Sequence, residues 1–258
     1  MSYALITGAS KGIGKAIAFD LAARGYSLVL AARNEELLQQ VKTEISRANP
    51  NVTILCRAVD LSTPTSAHDL FDWTQHQGLT ISILVNNAGY GVSGRFDSQP
   101  LEQHLNMLQL NCTTLIQLTY LFLPQLKQQE EAHILNISSS AAYQAVPYLS
   151  LYAASKTLVL SFSRGLRFEL GKTCVNVTCV CPGATDTDFV NRAQIGEKAR
   201  KTAEKVNMTP EAVGKAAVAA MFDKKAEVIT GALNKVGGFL TWLLPKKVME
   251  GGAARIYE

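Results

Sequence analysis

The chain has 258 residues, about the upper size for one hydrophobic core. It is 47% hydrophobic and 18% charged, which excludes a disordered chain and predicts a single globular domain over 1–258. The net charge of +4 is gathered in residues 190–258, which carry +5, and no Arg/Lys run interleaved with aromatics points to nucleic acid.

Short apolar runs alternate with longer helical patterns. "YALIT" (3–7) reads as a buried strand, followed by the helix "GIGKAIAFDLAARG" with Gly25 as its stop. "SLVLAA" is a second strand, and "NEELLQQVKTEISRA" a second helix capped by Asn34. "VTILCRAV" is a third strand, then a helix near 64–77, then the strand "ISILVNN". A long helical stretch covers about 101–129, with Pro124 expected to bend or break it. "HILNIS" is a fifth strand, "SLYAASKTLVLSFSRGLRFEL" a helix and "VNVTCVC" a sixth strand. A helix at about 210–222 precedes a short seventh strand, "AEVIT". Strands buried on both faces, each followed by a helix, predict an α/β fold: a Rossmann-like, doubly wound parallel sheet of about seven strands with helices on both faces. Ligands of such sheets bind at the C-terminal ends of the strands.

Of five cysteines (Cys56, Cys112, Cys174, Cys179, Cys181), the last three sit in or beside the apolar run "CVNVTCVC" and read as buried free thiols in a strand. Neither they nor the four histidines have metal-ligand spacing, so no metal is expected. "MSYALITG" enters a strand directly, and no apolar run reaches the roughly 20 residues that span a bilayer, so a cytoplasmic protein is expected.

The strand ends carry a dinucleotide pattern. After the first comes "TGASKGIG", with Gly8, Gly12 and Gly14 flanking Ser10, Lys11 and Ile13. Glycines permit a tight turn, and the following helix N-terminus offers N–H groups and partial positive charge to a pyrophosphate. The second strand ends at "AARN". An acid there would bind a ribose 2′-hydroxyl. Arg33 stands there instead, near Ser10 and Lys11, so a 2′-phosphate and NADP(H) are expected. Asp60, followed by Leu61, is placed to accept from the adenine amine, and "NNAG" brings small residues Asn87, Ala88 and Gly89 against the cofactor.

In order, the chain carries "TGASKGIG", Asp60-Leu61, "NNAG", Asn111, "NISS", "YAASK" and "CPGATDT". From Ser2 to about Thr230 it resembles the short-chain dehydrogenase/reductase family in its classical form. In that resemblance Tyr152 is the acid at the carbonyl oxygen. Lys156, four residues on and on the same helix face, tunes it and bonds the nicotinamide ribose. The serine thirteen residues before the tyrosine is Ser139, with Ser140 beside it toward substrate. Asn111 marks a helix kink holding a water on a proton relay to Lys156. Pro182, Gly183, Thr185 and Thr187 shape the turn that holds the nicotinamide amide and the phosphates. The resemblance also implies a homodimer or homotetramer.

The segment 186–209 reads as a substrate lid, whose basic residues (Arg192, Lys198, Arg200, Lys201, Lys205) face an anionic substrate or water. Pocket candidates are Tyr90, Val92, Ser140, Tyr143, Tyr148 and Phe189, mostly apolar or aromatic. They suggest a hydrophobic carbonyl, and the surrounding pattern is similar to acyl-type ketoreductases. The C-terminal extension 233–258 is apolar and basic. It covers the pocket, packs on another subunit, or makes a weak membrane-surface contact through 233–249. The leading expectation is thus NADPH-dependent reduction of a ketone or aldehyde. The alternative is a nucleotide-binding regulator or membrane-surface protein that keeps the fold.

Overall fold

A computed structural model describes residues 2–185 and 207–257. Seven parallel strands form one sheet in the order β3-β2-β1-β4-β5-β6-β7. They are β1 (Ser2–Thr7), β2 (Ser27–Ala32), β3 (Ile54–Ala58), β4 (Thr80–Asn86), β5 (Ala132–Ile137), β6 (Val175–Cys181) and β7 (Glu227–Ile229). The strand order reverses between β1 and β4, where no crossover helix fills the space above the strand ends, and a crevice opens there.

Alternation along the strands assigns two cores. Ala4 and Ile6 of β1, with Leu28 and Leu30 of β2, face helices α1 (Gly12–Ala23), α2 (Glu35–Ala48) and α7 (Pro210–Phe222). Leu5, Val29 and Leu84 face the opposite layer: α3 (Ser66–His76), α5 (Thr114–Leu126) and α6 (Ser150–Glu169). There the fully buried Phe122 meets Phe71 edge-on at 5.1 Å. Burying such a ring contributes about 1.5–3 kcal/mol.

The long helical stretch is continuous through Pro124 and changes pitch instead around Asn111, where the family resemblance placed a kink. It runs as α4 (Leu101–Leu108), a π turn over Gln109–Thr113, and α5. Pro124 stays inside α5, close to its end, where few backbone bonds are at stake. Beyond β7, two helices absent from the sequence reading close the described chain: α8 (Ala232–Leu243) and α9 (Lys246–Tyr257).

Candidate active site

The crevice at the strand ends is a cleft of about 470 Å³. At one end is the glycine turn between β1 and α1. Gly8 and Gly12 have φ of +65° and +54°, a region that penalises any Cβ. Gly14 is required for space, since a Cβ there would lie 2.3 Å from the Gly8 carbonyl oxygen. The turn is clamped to β4. Thr7 Oγ1 donates to Val85 O at 3.1 Å and accepts from the N–H groups of Asn87 and Ala88 at 2.9 and 3.0 Å. Asn87 Nδ2 returns bonds to the carbonyls of Thr7 and Gly8. Thr7 was not among the residues singled out from the sequence; a threonine at a strand end carries no signal by itself.

α1 begins with no capping side chain and no acid in its first turn. α2 and α7, by contrast, are capped by Asn34 and Thr209 and carry acids there. Amides at the start of a helix seek an acceptor, and here they open on the cleft. Ser10, Lys11 and Arg33 line the same end, with Ile13 and Leu61 in its walls. Asp60 is exposed at the β3 end, and its Oδ1 accepts from the Ser62 N–H and hydroxyl at 3.0 and 2.7 Å.

The other end is built by β5 and α6. The three serines after β5 separate by geometry. Ser138 is buried and donates to Lys156 O at 2.7 Å, so it ties the strand to α6. Ser139 is extended, caps a short 3₁₀ turn by accepting from Ala141 N at 3.1 Å, and hydrogen-bonds the Tyr152 phenol. Ser140 also lines the cleft, its N–H bonded to Pro182 O at 2.7 Å.

Tyr152 and Lys156 sit one turn apart on α6, both buried, the ammonium 5.9 Å from the ring centroid. Burial raises the phenol, the Ser139 bond pulls it back, and Tyr257 and Cys181 push it up again, to about 12 in all. Burial pulls the Lys156 ammonium below its ordinary value. Lys156 Nζ donates to Ile137 O at 3.0 Å.

Asn111 lies in the π turn, which points its amide at the backbone of Tyr90. Nδ2 donates to Tyr90 O at 2.9 Å and to Ser155 Oγ at 3.1 Å, and Oδ1 accepts from Tyr90 N at 3.1 Å. Gly89 fits between the two groups: a Cβ there would lie 2.9 Å from Asn111 Oδ1 and 3.3 Å from Lys156 Nζ. The π turn thus carries a buried amide to the loop after β4 and to the foot of the lysine.

A nucleotide-sized cleft with an uncapped helix start at one end, and a serine, tyrosine and lysine at the other, agrees with known proteins. Residues 2–198 match the family model described as short chain dehydrogenase. The chain belongs to the short-chain dehydrogenase family. The 17-beta-hydroxysteroid dehydrogenase type 3 of Mus musculus is 34% identical over 207 residues, 78% of this chain and 65% of the mouse protein. A solved 7beta-hydroxysteroid dehydrogenase superposes with a TM-score of 0.86 at 25% identity, covering 98% of this chain and 96% of its own. A short-chain dehydrogenase from Sphingobium yanoikuyae, solved in complex with NADPH, gives 0.82 at 29% identity over 94% and 95%.

Within this short-chain dehydrogenase some expected residues fall elsewhere. Tyr143 does not line the cleft. Its ring packs beside the cluster of Leu115, Val159 and Cys179, and its hydroxyl donates to Glu227 on β7. A carboxylate at the edge strand offers the half-buried phenol a partner, which draws it away from the cleft. Val92 is buried behind Tyr152, and Tyr148, with φ of +65°, serves the loop by accepting from Gly94 N. Tyr90 does reach the cleft, its hydroxyl held by Gln103 O and Asn106 Oδ1 at 3.1 and 2.8 Å. Thr187, Phe189, the five basic lid residues and most of the 186–209 segment lie outside the described residues.

Two site residues come from the C-terminal helices. Tyr257 of α9 lines the cleft near Tyr152, and Ala253 is buried in the same cluster. Asn234 of α8 backs the turn after β6: a Cβ on Gly183 would lie 2.0 Å from Asn234 Nδ2 and 2.2 Å from its Cγ. Pro182 and Gly183 line the cleft, as does Thr185, whose hydroxyl donates to Gly183 O at 3.1 Å. Gly183→Ala is therefore expected to expel the Asn234 amide, break its bond to Thr230 O and cost about 1–3 kcal/mol. A thermal melt checks this, and adding Asn234→Ala should restore part of the lost Tm.

Proposed function

We propose that the protein reduces a bulky, apolar ketone to an alcohol with NADPH as reductant. The observation that carries this reading is one cleft holding Tyr152, Ser139 and Lys156 at one end and Arg33, Lys11 and the start of α1 at the other. The cradle fits the cofactor: Gly8 and Gly12 put bare backbone against the cleft, and Arg33, Ser10 and Lys11 supply donors for a 2′-phosphate. Asp60, Asn87, Ala88, Gly89, Pro182, Gly183, Thr185 and Lys156 would hold the remainder. NADPH, when bound, supplies the hydride.

The chain's own residues handle the proton. Ser139 and Tyr152 donate to the substrate carbonyl oxygen. As that oxygen gains negative charge, the phenol proton moves to it and leaves a phenolate. A phenol held near 12 is protonated at neutral pH, which suits an acid in the reductive direction. The Lys156 ammonium stabilises the phenolate and returns a proton, itself replaced from water on the Asn111 side. The names of the hydroxysteroid relatives support a ring-sized ketone, as does Tyr257 beside Leu149 and Tyr90 in the cleft wall.

NADPH oxidation against steroid ketones, acyl thioesters, quinones and small diketones tests the reading. Turnover highest with steroid-sized ketones supports it. NADPH binding with no ketone reduced would instead support a regulator that keeps the fold. Tyr257→Ala is expected to raise KM for the preferred bulky ketone by about tenfold, from lost apolar contact, with NADPH affinity unchanged. Steady-state kinetics with a bulky and a small ketone check it, since the small one should lose little.

A further inference from the structure

Helix α8 is amphipathic, but its polarity is inverted. The line that approaches the protein carries Asn234, Gly238 and Thr241, all half-buried. Asn234 Nδ2 donates to Thr230 O at 2.8 Å, and a Cβ on Gly238 would lie 2.8 Å from Ile229 Cδ1. Leu233, Val236, Phe239, Trp242 and Leu243 point the other way, exposed between 56% and 80%. None of the residues of α8 is buried. A helix resting against a core in water shows the reverse arrangement.

The outward side chains make one surface. Leu233, Val236, Phe239 and Trp242 follow at i+3 spacing, and the Phe239 and Trp242 rings are 6.1 Å apart. Exposed Leu244 and Val248 extend the patch into α9. A contiguous apolar patch of this kind marks an interaction site.

Charge selects the occupant. From Val228 to Met249 the chain has no Asp or Glu, while Lys235, Lys246 and Lys247 are exposed around the patch. A twofold contact that buried this patch against its copy would crowd the lysines of both chains together, with no carboxylate between Val228 and Met249 to pair them. An anionic bilayer satisfies both features: apolar side chains enter the acyl boundary, Trp242 sits at headgroup depth, and the ammonium groups meet phosphates. None of the helices among the described residues is long and apolar enough to cross a membrane, so contact is in the plane of the surface.

We propose that the outward face of α8, with Lys246 and Lys247 at its end, docks this protein on an anionic phospholipid surface. The test is co-sedimentation of the full chain with vesicles of phosphatidylcholine alone or mixed with phosphatidylglycerol. Binding should require phosphatidylglycerol and weaken with salt. Lys246→Glu/Lys247→Glu should lower partitioning by at least on the order of thirtyfold, and Phe239→Ser/Trp242→Ser by about tenfold or more. NADPH binding, measured without vesicles, shows that each variant is folded and is read separately from the reductase assignment. Absence of binding to phosphatidylglycerol vesicles by a folded chain overturns the proposal. So does an oligomer, seen by light scattering, that Phe239→Ser/Trp242→Ser dissociates.

Discussion

Tyr152→Phe should lower kcat for ketone reduction by about a thousandfold and leave the Kd for NADPH unchanged. Phenylalanine keeps the ring that packs among Val146, Leu149 and Ala153, so the fold and the cleft wall survive. Only the hydroxyl proposed as proton donor is lost. Ser139→Ala should cost less, because it removes a bond to the carbonyl but leaves the proton. The pH profile gives an independent check. Burial raises the folded Tyr152 pKa to about 12, so the donating form persists through neutrality and is lost only as pH rises through that value. Lys156 is shifted the other way by burial, so its charge is lost below the ordinary lysine value and sets the first alkaline decline. A Tyr152→Phe enzyme with near-normal kcat would remove the tyrosine from the mechanism.

The sheet was legible because most strands are short apolar runs closed by small or polar residues, and the helices between them carry their own apolar period. The cofactor end was legible for a related reason: "TGASKGIG" and "AARN" stand at strand ends, where residue type is set by backbone approach. The substrate end was less so. Tyr143 has the composition of a pocket residue, but its orientation depends on Glu227, more than eighty positions away. Pro124, the stronger local signal, leaves its helix continuous, whereas the irregularity lies in the π turn at Asn111, where only the family resemblance placed a kink and whose amide is satisfied by the backbone of Tyr90. Helices α8 and α9 were hidden most completely. α8 docks through Asn234 and Gly238, so its apolar period describes the face turned away from the protein. A rule that equates the apolar stripe with the core would place that helix backwards.

Arg33→Ala should raise the KM for NADPH by about ten- to a hundredfold while the KM for NADH stays nearly constant. β2 ends at Ala32 and α2 is capped at Asn34, whose Oδ1 accepts from Leu37 N at 2.8 Å. Arg33 is thus the single residue between a fixed strand end and a fixed helix start. Its position at the cleft is set by backbone, although its side chain is exposed. A bond between charged partners contributes about 1.5–3 kcal/mol, and each 1.4 kcal/mol is about tenfold in affinity. Only NADPH carries the 2′-phosphate, so only NADPH should lose that contribution. Lys11 and Ser10 line the same end and would retain part of the affinity, which keeps the loss short of complete. Arg33→Asp should go further, repelling the phosphate and offering an acceptor to the 2′-hydroxyl of NADH, so that the preference between the two cofactors narrows or reverses. Equal losses for NADPH and NADH in Arg33→Ala would show that the guanidinium supports the loop or the adenine instead of a phosphate. The two dinucleotides titrated against both variants, with Tyr152→Phe as a binding-competent control, separate these cases.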